Sequence, residues 1–199
     1  METSKQESRR GRGRWKALAI LAVCASPIIA SYLTYYVIKP EGRTNYGAIL
    51  DPREHPMPAL AATTLDGQPG GLDTYLGKWI MLQVDDGGCG EYCQTKLLQM
   101  RQLRIMQGRE RERIERVWLV TDQEPVQTLL LREYDGTHLL RVKPEALRAW
   151  LPVEVGGTPA DYIYMIDPRG NLMMRFPKNA DPSRMKKDLG RLLSASSIG

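Results

Sequence analysis

Two cysteines four residues apart, Cys89 and Cys93, are the side chains of this sequence best suited to covalent chemistry. In Cys89-Gly90-Glu91-Tyr92-Cys93 they follow an apolar run and open a stretch of helix-forming composition. That spacing is about one helical turn, so both sulfurs can meet at a helix start. A helix start carries unpaired backbone N–H groups and a partial positive charge, and both favour a thiolate over a thiol. A thiolate so stabilised is a nucleophile toward disulfides and a soft metal ligand. Asp85, Asp86 and Glu91 oppose it by charge, while Lys96, one turn along, offsets part of that opposition. The third cysteine, Cys24, sits in an apolar run near the N-terminus and reads as a small buried apolar residue.

The elements that must hold the pair are readable on both sides of it. Residues 79–84 form a short, mostly apolar run of strand length, stopped by Asp85-Asp86-Gly87-Gly88. Before it, residues 61–76 read as an extended lead-in with turns at Asp66-Gly67 and Pro69-Gly70-Gly71. Residues 93–107 have helical composition, with Leu97, Met100, Leu103 and Met106 three apart, a spacing that drifts around a helix. The charged stretch 109–116 reads as a solvated helix end and leads into an apolar strand at 117–120. Residues 144–150 read as a short helix. Residues 162–166 and 172–176 read as strands joined by the turn Asp167-Pro168-Arg169-Gly170. Residues 183–193 read as a closing helix with Asp181 near its start.

This order of elements predicts an α/β, thioredoxin-like fold with a parallel first half. In such folds the proline ahead of the third strand is typically cis and faces the redox pair. Pro159, in Val155-Gly156-Gly157-Thr158-Pro159, is expected there on fold grounds; a proline that simply ends a loop is the alternative.

The formal net charge is +5, and most of it lies in residues 1–16, where six basic side chains face Glu2 and Glu7. A basic chain raises nucleic-acid binding. Here the charge abuts residues 17–38, which carry no charged side chain, so a membrane is the expected partner and nucleic acid is not. That run is long enough to cross about 30 Å of hydrocarbon as a helix. Trp15 marks one end and Tyr32, Tyr35 and Tyr36 the other, and a membrane span tolerates Pro27. No small-x-small cleavage site follows, which favours a retained anchor over a cleaved signal peptide.

The expected organisation is therefore a basic cytoplasmic tail (1–16), a transmembrane helix (17–38), a proline-rich linker (39–60) and a thioredoxin-like domain (61–199). With the N-terminus inside the inner (cytoplasmic) membrane, the domain would lie in the periplasm, where disulfides persist.

The sequence resembles the Sco/SenC family, membrane-anchored proteins that help build the copper site of cytochrome c oxidase. Three segments carry the resemblance: Leu76-Gly77-Lys78-Trp79, the motif Cys89-x-x-x-Cys93 followed by Thr95 and Leu97, and Tyr164-Met165-Ile166-Asp167-Pro168-Arg169-Gly170. Two departures stand out. The family's prolines after each cysteine are replaced by Gly90 and Gln94. The family's copper-binding histidine, expected near Pro159, is missing. The two histidines are His55, in the proline-rich segment, and His138, which would reach the cysteines by a different geometry and otherwise reads as a loop or strand-edge residue.

Three readings stay open. One is a thiol–disulfide oxidoreductase in which Cys89, as the more exposed thiolate, attacks and Cys93 resolves. Its partner, by resemblance, is the copper-binding subunit of cytochrome c oxidase or another dithiol protein. The second is a Cu(I) carrier using the same two sulfurs, with His138 as a candidate third ligand. The third is a redox-inert assembly scaffold. No phosphate-binding glycine motif stands where a strand would lead into a helix, and four-ligand zinc and Ser/His/Asp chemistry lack the residues. Met165, Met173, Met174 and Met185 read as packing residues and not as copper ligands.

Overall fold

The computed structural model describes residues 3–34, 36, 45–196 and 198. They fall in two units, Met1–Thr44 and Asn45–Gly199. The first is one helix, α1, over Thr3–Leu33, with Pro27 inside it. The basic segment is thus helical and continuous with the apolar one. Trp15–Leu33 has a mean hydropathy of 1.8, and none of its residues is buried. Its 19 residues reach about 28 Å, enough to cross the hydrocarbon of a bilayer. Tyr35 and residues 37–44, the end of the expected span and the start of the expected linker, lie outside the described residues.

The second unit is built on an eight-stranded sheet. Its strands are β1 (Ala48–Ile49), β2 (Ala62–Thr63), β3 (Pro69–Gly70), β4 (Trp79–Asp85), β5 (Ile114–Val120), β6 (Thr137–Val142), β7 (Ile163–Ile166) and β8 (Leu172–Phe176). Their order across the sheet is β1-β8-β7-β4-β5-β6-β2-β3. β4, β5 and β6 run parallel and the remaining pairs antiparallel. The helices are α2 (Glu91–Met106), α3 (Thr128–Glu133), α4 (Pro144–Trp150) and α5 (Pro182–Ala195).

The continuous apolar runs of β4 and β5 follow from burial on both faces. One face carries Ile80, Leu82, Val84, Val117 and Leu119 against Leu147 and Trp150 of α4. The other carries Met81, Ile114 and Met165 against Met100 and Leu103 of α2 and Leu189 and Leu193 of α5.

Several boundaries differ from the sequence expectation. Residues 45–60, expected as linker, join the folded unit. Ala48 and Ile49 pair with Arg175 and Met174, and Met57 donates its N–H to Gly170. Asp188 of α5 fastens this segment, accepting the N–H groups of Tyr46 at 2.6 Å and Gly47 at 2.9 Å. A Cβ on residue 47 would come within 2.6 Å of Met174 Sδ, so any larger residue there must displace that side chain. Pro69–Gly70 is a strand and not a turn. The charged stretch before β5 is a 3-10 helix over Gly108–Arg113, and the strand starts at Ile114. The Asp167–Gly170 turn forms as expected, with Gly170 at φ +87° and the Asp167 carboxylate accepting the N–H groups of Arg169 and Asn171.

Candidate functional site

β4 ends at Asp85, and the next residues turn the chain from the sheet into α2. Asp86 stabilises that turn by accepting the Cys89 N–H at 3.0 Å. Cys89 has φ +44°, a left-handed backbone that costs a non-glycine residue about 1–2 kcal/mol. Such strain persists where surrounding contacts over-determine it, and it concentrates at functional sites. Here the Gln94 side chain donates to the Cys89 carbonyl at 2.9 Å. Gly90 is the N-cap and offers no capping side chain, so Cys93 sits in the first turn among unpaired N–H groups.

The two sulfurs are joined as a disulfide, with Cα atoms 5.1 Å apart. Cys89 was expected to be the exposed partner. Instead it is 0% exposed and Cys93 is 2% exposed. Both pack among Leu97, Trp118, Val120, Leu130 and Tyr134, with Val126 closing against them. Residues 121–127 pass against the loop between β4 and Cys89. Their closeness shows at Gly87, where a Cβ would come within 2.4 Å of the Glu124 carbonyl oxygen.

Two polar side chains beneath the disulfide are the least expected features. Gln83, buried in the middle of β4, donates its amide to Cys93 Sγ at 3.5 Å, and its Oε1 has no protein partner. Lys96, 2% exposed, places its ammonium 2.9 Å from Asp85 Oδ2 and 3.1 Å from the Val84 carbonyl. It also donates to the carbonyl of Ala160. Burial lowers the Lys96 pKa, and Asp85 acts against that shift. The lysine expected to favour a thiolate therefore spends its charge on Asp85 and on two carbonyls. Tyr92, between the cysteines, donates its hydroxyl to the Asp161 carbonyl at 2.8 Å. Burial raises its pKa, so it stays a phenol. The signal for Gln83 was a lone amide in an otherwise apolar strand; no local pattern announced the reach of Lys96.

Pro159 is not cis: no cis peptide occurs among the described residues. It starts a one-turn helix over Pro159–Asp161, whose fixed φ suits proline at the first position. With Val84, Asp85, Asp86, Leu147 and Thr158 it lines a cavity of about 490 Å³, and neither cysteine lines that cavity. The structure thus brings Cys89 and Cys93 together, and Pro159 lines a cavity that neither cysteine lines.

His138 is also elsewhere. It lies on β6 opposite Val117, on the α4 face of the sheet, where its Nε2 is 3.2 Å from Glu115 and its ring stacks on Tyr75. His55 gives its carbonyl to Leu172 in the segment beside β8. No group of three His, Cys, Asp or Glu side chains is arranged to hold a metal among the described residues. The cysteine site supplies two thiolates when reduced, a donor set that fits two-coordinate Cu(I) and lacks the third ligand Cu(II) needs.

Residues 79–196 match the family model of the transmembrane-like, thioredoxin-like C-terminal domain, and residues 8–37 match its transmembrane-like N-terminal domain. The chain belongs to this transmembrane-like, thioredoxin-like family. The N-terminal match together with the apolar α1 supports a membrane anchor. Comparison with curated proteins finds no match.

Among solved structures the fold is similar to that of yeast Sco1, also solved with copper bound. The TM-score is 0.58 at 14% identity, over 73% of this chain and 98% of that one. It is similar to a SCO1/SenC family lipoprotein of Bacillus anthracis, with TM-score 0.54 and 18% identity over 73% and 99%. It is also similar to the thioredoxin domain of a Bacteroides vulgatus thiol-disulfide oxidoreductase, with TM-score 0.53 and 15% identity over 70% and 96%. These likenesses establish a Sco-like thioredoxin fold.

Proposed function

We propose that the protein is a membrane-anchored thiol–disulfide exchange protein whose working couple is Cys89/Cys93. One observation carries the reading: the pair is closed as a disulfide on the first turn of α2, with a buried amide aimed at Cys93 Sγ. In the reduced protein the Cys89 thiolate attacks a partner disulfide and expels one partner sulfur as a thiolate. Cys93 then attacks the Cys89 sulfur, restores the intramolecular disulfide and releases the second partner thiolate. Two electrons pass to the partner, and a dithiol reductant must return them before the next cycle.

By its resemblance to the Sco/SenC family, the substrate is the dicysteine copper site of an oxidase subunit, which must be reduced before it is loaded. The basic helix start argues for an N-terminus held inside the inner membrane, with the domain in the periplasm. Copper is a second candidate ligand of the same two sulfurs, favoured by their bare two-thiolate geometry. His138, on the other face of the sheet, has no part in that reading.

The test is a trap. A Cys93→Ser chain, incubated with an oxidised dicysteine protein, should accumulate a mixed disulfide through Cys89, and Cys89→Ser should not. Absence of any mixed disulfide, with stoichiometric Cu(I) retained by the unaltered reduced chain, would move the protein to the copper-carrier class.

A further inference from the structure

The disulfide on which that exchange reading rests is almost wholly buried, and the contacts beside it can be named. After β5 the chain runs from Thr121 to Gln127 without regular secondary structure. Within 122–126 no backbone hydrogen bond holds it to the sheet; the last is Thr121 N–H to the Asp85 carbonyl. Side chains tie it down instead. Arg141, at the end of β6, donates from its two terminal nitrogens to the carbonyls of Asp122 and Glu124, the second at 2.8 Å. Asp122 Oδ1 accepts the N–H of Gly87 at 2.8 Å, which fixes the segment to the loop that leads into Cys89.

The fit is closest at Gly87, where the neighbour is backbone; at Gly88 it is the movable end of a side chain. A Cβ on Gly87 would lie 2.4 Å from the Glu124 carbonyl oxygen, and one on Gly88 2.9 Å from Glu124 Oε2. At the far end Val126 packs onto the cluster that holds both cysteines. Gln123, Glu124 and Pro125 are exposed, so the segment itself has solvent on its outer side.

We propose that residues 121–127 are a strap that gates the Cys89–Cys93 disulfide, with Arg141 and Asp122 as its two latches. A closed strap excludes the attacking thiolate, which must approach a sulfur along the S–S axis. Opening of residues 122–126, hinged at Thr121 and Gln127, loses the two Arg141 hydrogen bonds, the Asp122–Gly87 hydrogen bond and the packing of Val126 but no sheet or helix bond, so opening is local and leaves the core folded. Because the latches are carbonyl and N–H contacts to side chains, a partner that bonds those same groups would open the strap as it docks.

The experiment follows reduction of the oxidised full-length chain by dithiothreitol in detergent micelles. A Cys24→Ser background is used, so that alkylation counts the pair alone. One dithiothreitol thiolate bonds to a cysteine sulfur and expels the other. Its second thiolate then closes the cyclic disulfide and leaves both cysteines reduced and protonated. Arg141→Gln and, separately, Asp122→Ala should each speed reduction about tenfold, the factor that loss of about 1.4 kcal/mol of closure represents. Leu189→Ala, a cut in the α5 core away from the strap, should leave the rate within twofold of the parent.

Parent-like rates in both latch variants would overturn the proposal. So would equal acceleration by Leu189→Ala, which would mean access through global unfolding. If Arg141→Gln fails to fold, Asp122→Ala decides the matter. No protein partner enters this assay, so failure of the exchange reading and failure of the strap are separable. Latch variants that reduce faster yet never exchange with a protein dithiol would remove the function and leave the strap.

Discussion

Two sites share the carboxyl ends of β4 and β5 and could hardly differ more. On the α4 face lies an open cavity of about 490 Å³, lined by Val84, Leu147 and Pro159, with no group able to do redox chemistry. On the α2 face lies the Cys89–Cys93 disulfide, almost wholly buried and lining no part of that cavity. Asp86 belongs to both: it lines the cavity and accepts the Cys89 N–H. Lys96 bridges them as well, from the helix of the cysteines to Asp85 and to Ala160 beside Pro159. In this chain the disulfide and the recess beside it are separate features joined by a few polar contacts.

Lys96→Ala is the most severe test of that bridge. It removes a buried cation from Asp85 and leaves two carbonyls without their donor. Breaking a buried pair costs about 3–5 kcal/mol, measured by denaturant unfolding of the full chain. A loss under 1 kcal/mol would show that the bridge contributes little.

Leu147→Ala probes the cavity face alone. Leu147 is 1% exposed, and its truncation should cost about 2–4 kcal/mol while the potential of the disulfide stays unchanged. A shifted potential would mean that the two sites are coupled through the sheet.

Gln83→Leu gives the smallest and most local effect. Its amide bonds a thiolate more strongly than a disulfide sulfur, so it favours the reduced state. Its removal should lower the midpoint potential by about 20 mV, equivalent to about 1 kcal/mol for two electrons. A rise in potential would contradict the assigned role.

The halves of this comparison were not equally legible in the sequence. β4 and the cysteine pair at the head of α2 were visible, because a doubly buried strand is a continuous apolar run and a helix start after a stop signal is local chemistry. α4 and β8 were read to the residue. β6 was missed: Thr137-His138-Leu139-Leu140-Arg141-Val142 carries polar side chains that break the strand pattern, and its pairing with β5 is tertiary. β1, β2 and β3, two residues each, are too short for any period to register. The site was legible in its atoms and not in its access. Nothing in the sequence near Gln123-Glu124-Pro125 signals that Arg141 bonds the carbonyls of Asp122 and Glu124. Pro159 was expected to be cis on fold grounds, and its peptide bond is trans.

The central claim is that Cys89 and Cys93 form a working redox couple. Its most direct test is the midpoint potential of that couple in the full-length chain, measured against a glutathione or dithiothreitol buffer with Cu(I) titrated into the reduced form. A working couple should be reversible and two-electron at roughly −180 to −270 mV, the range of protein dithiol oxidoreductants. A disulfide that stays closed below about −300 mV, as structural disulfides do, would contradict it and leave the pair a structural clip.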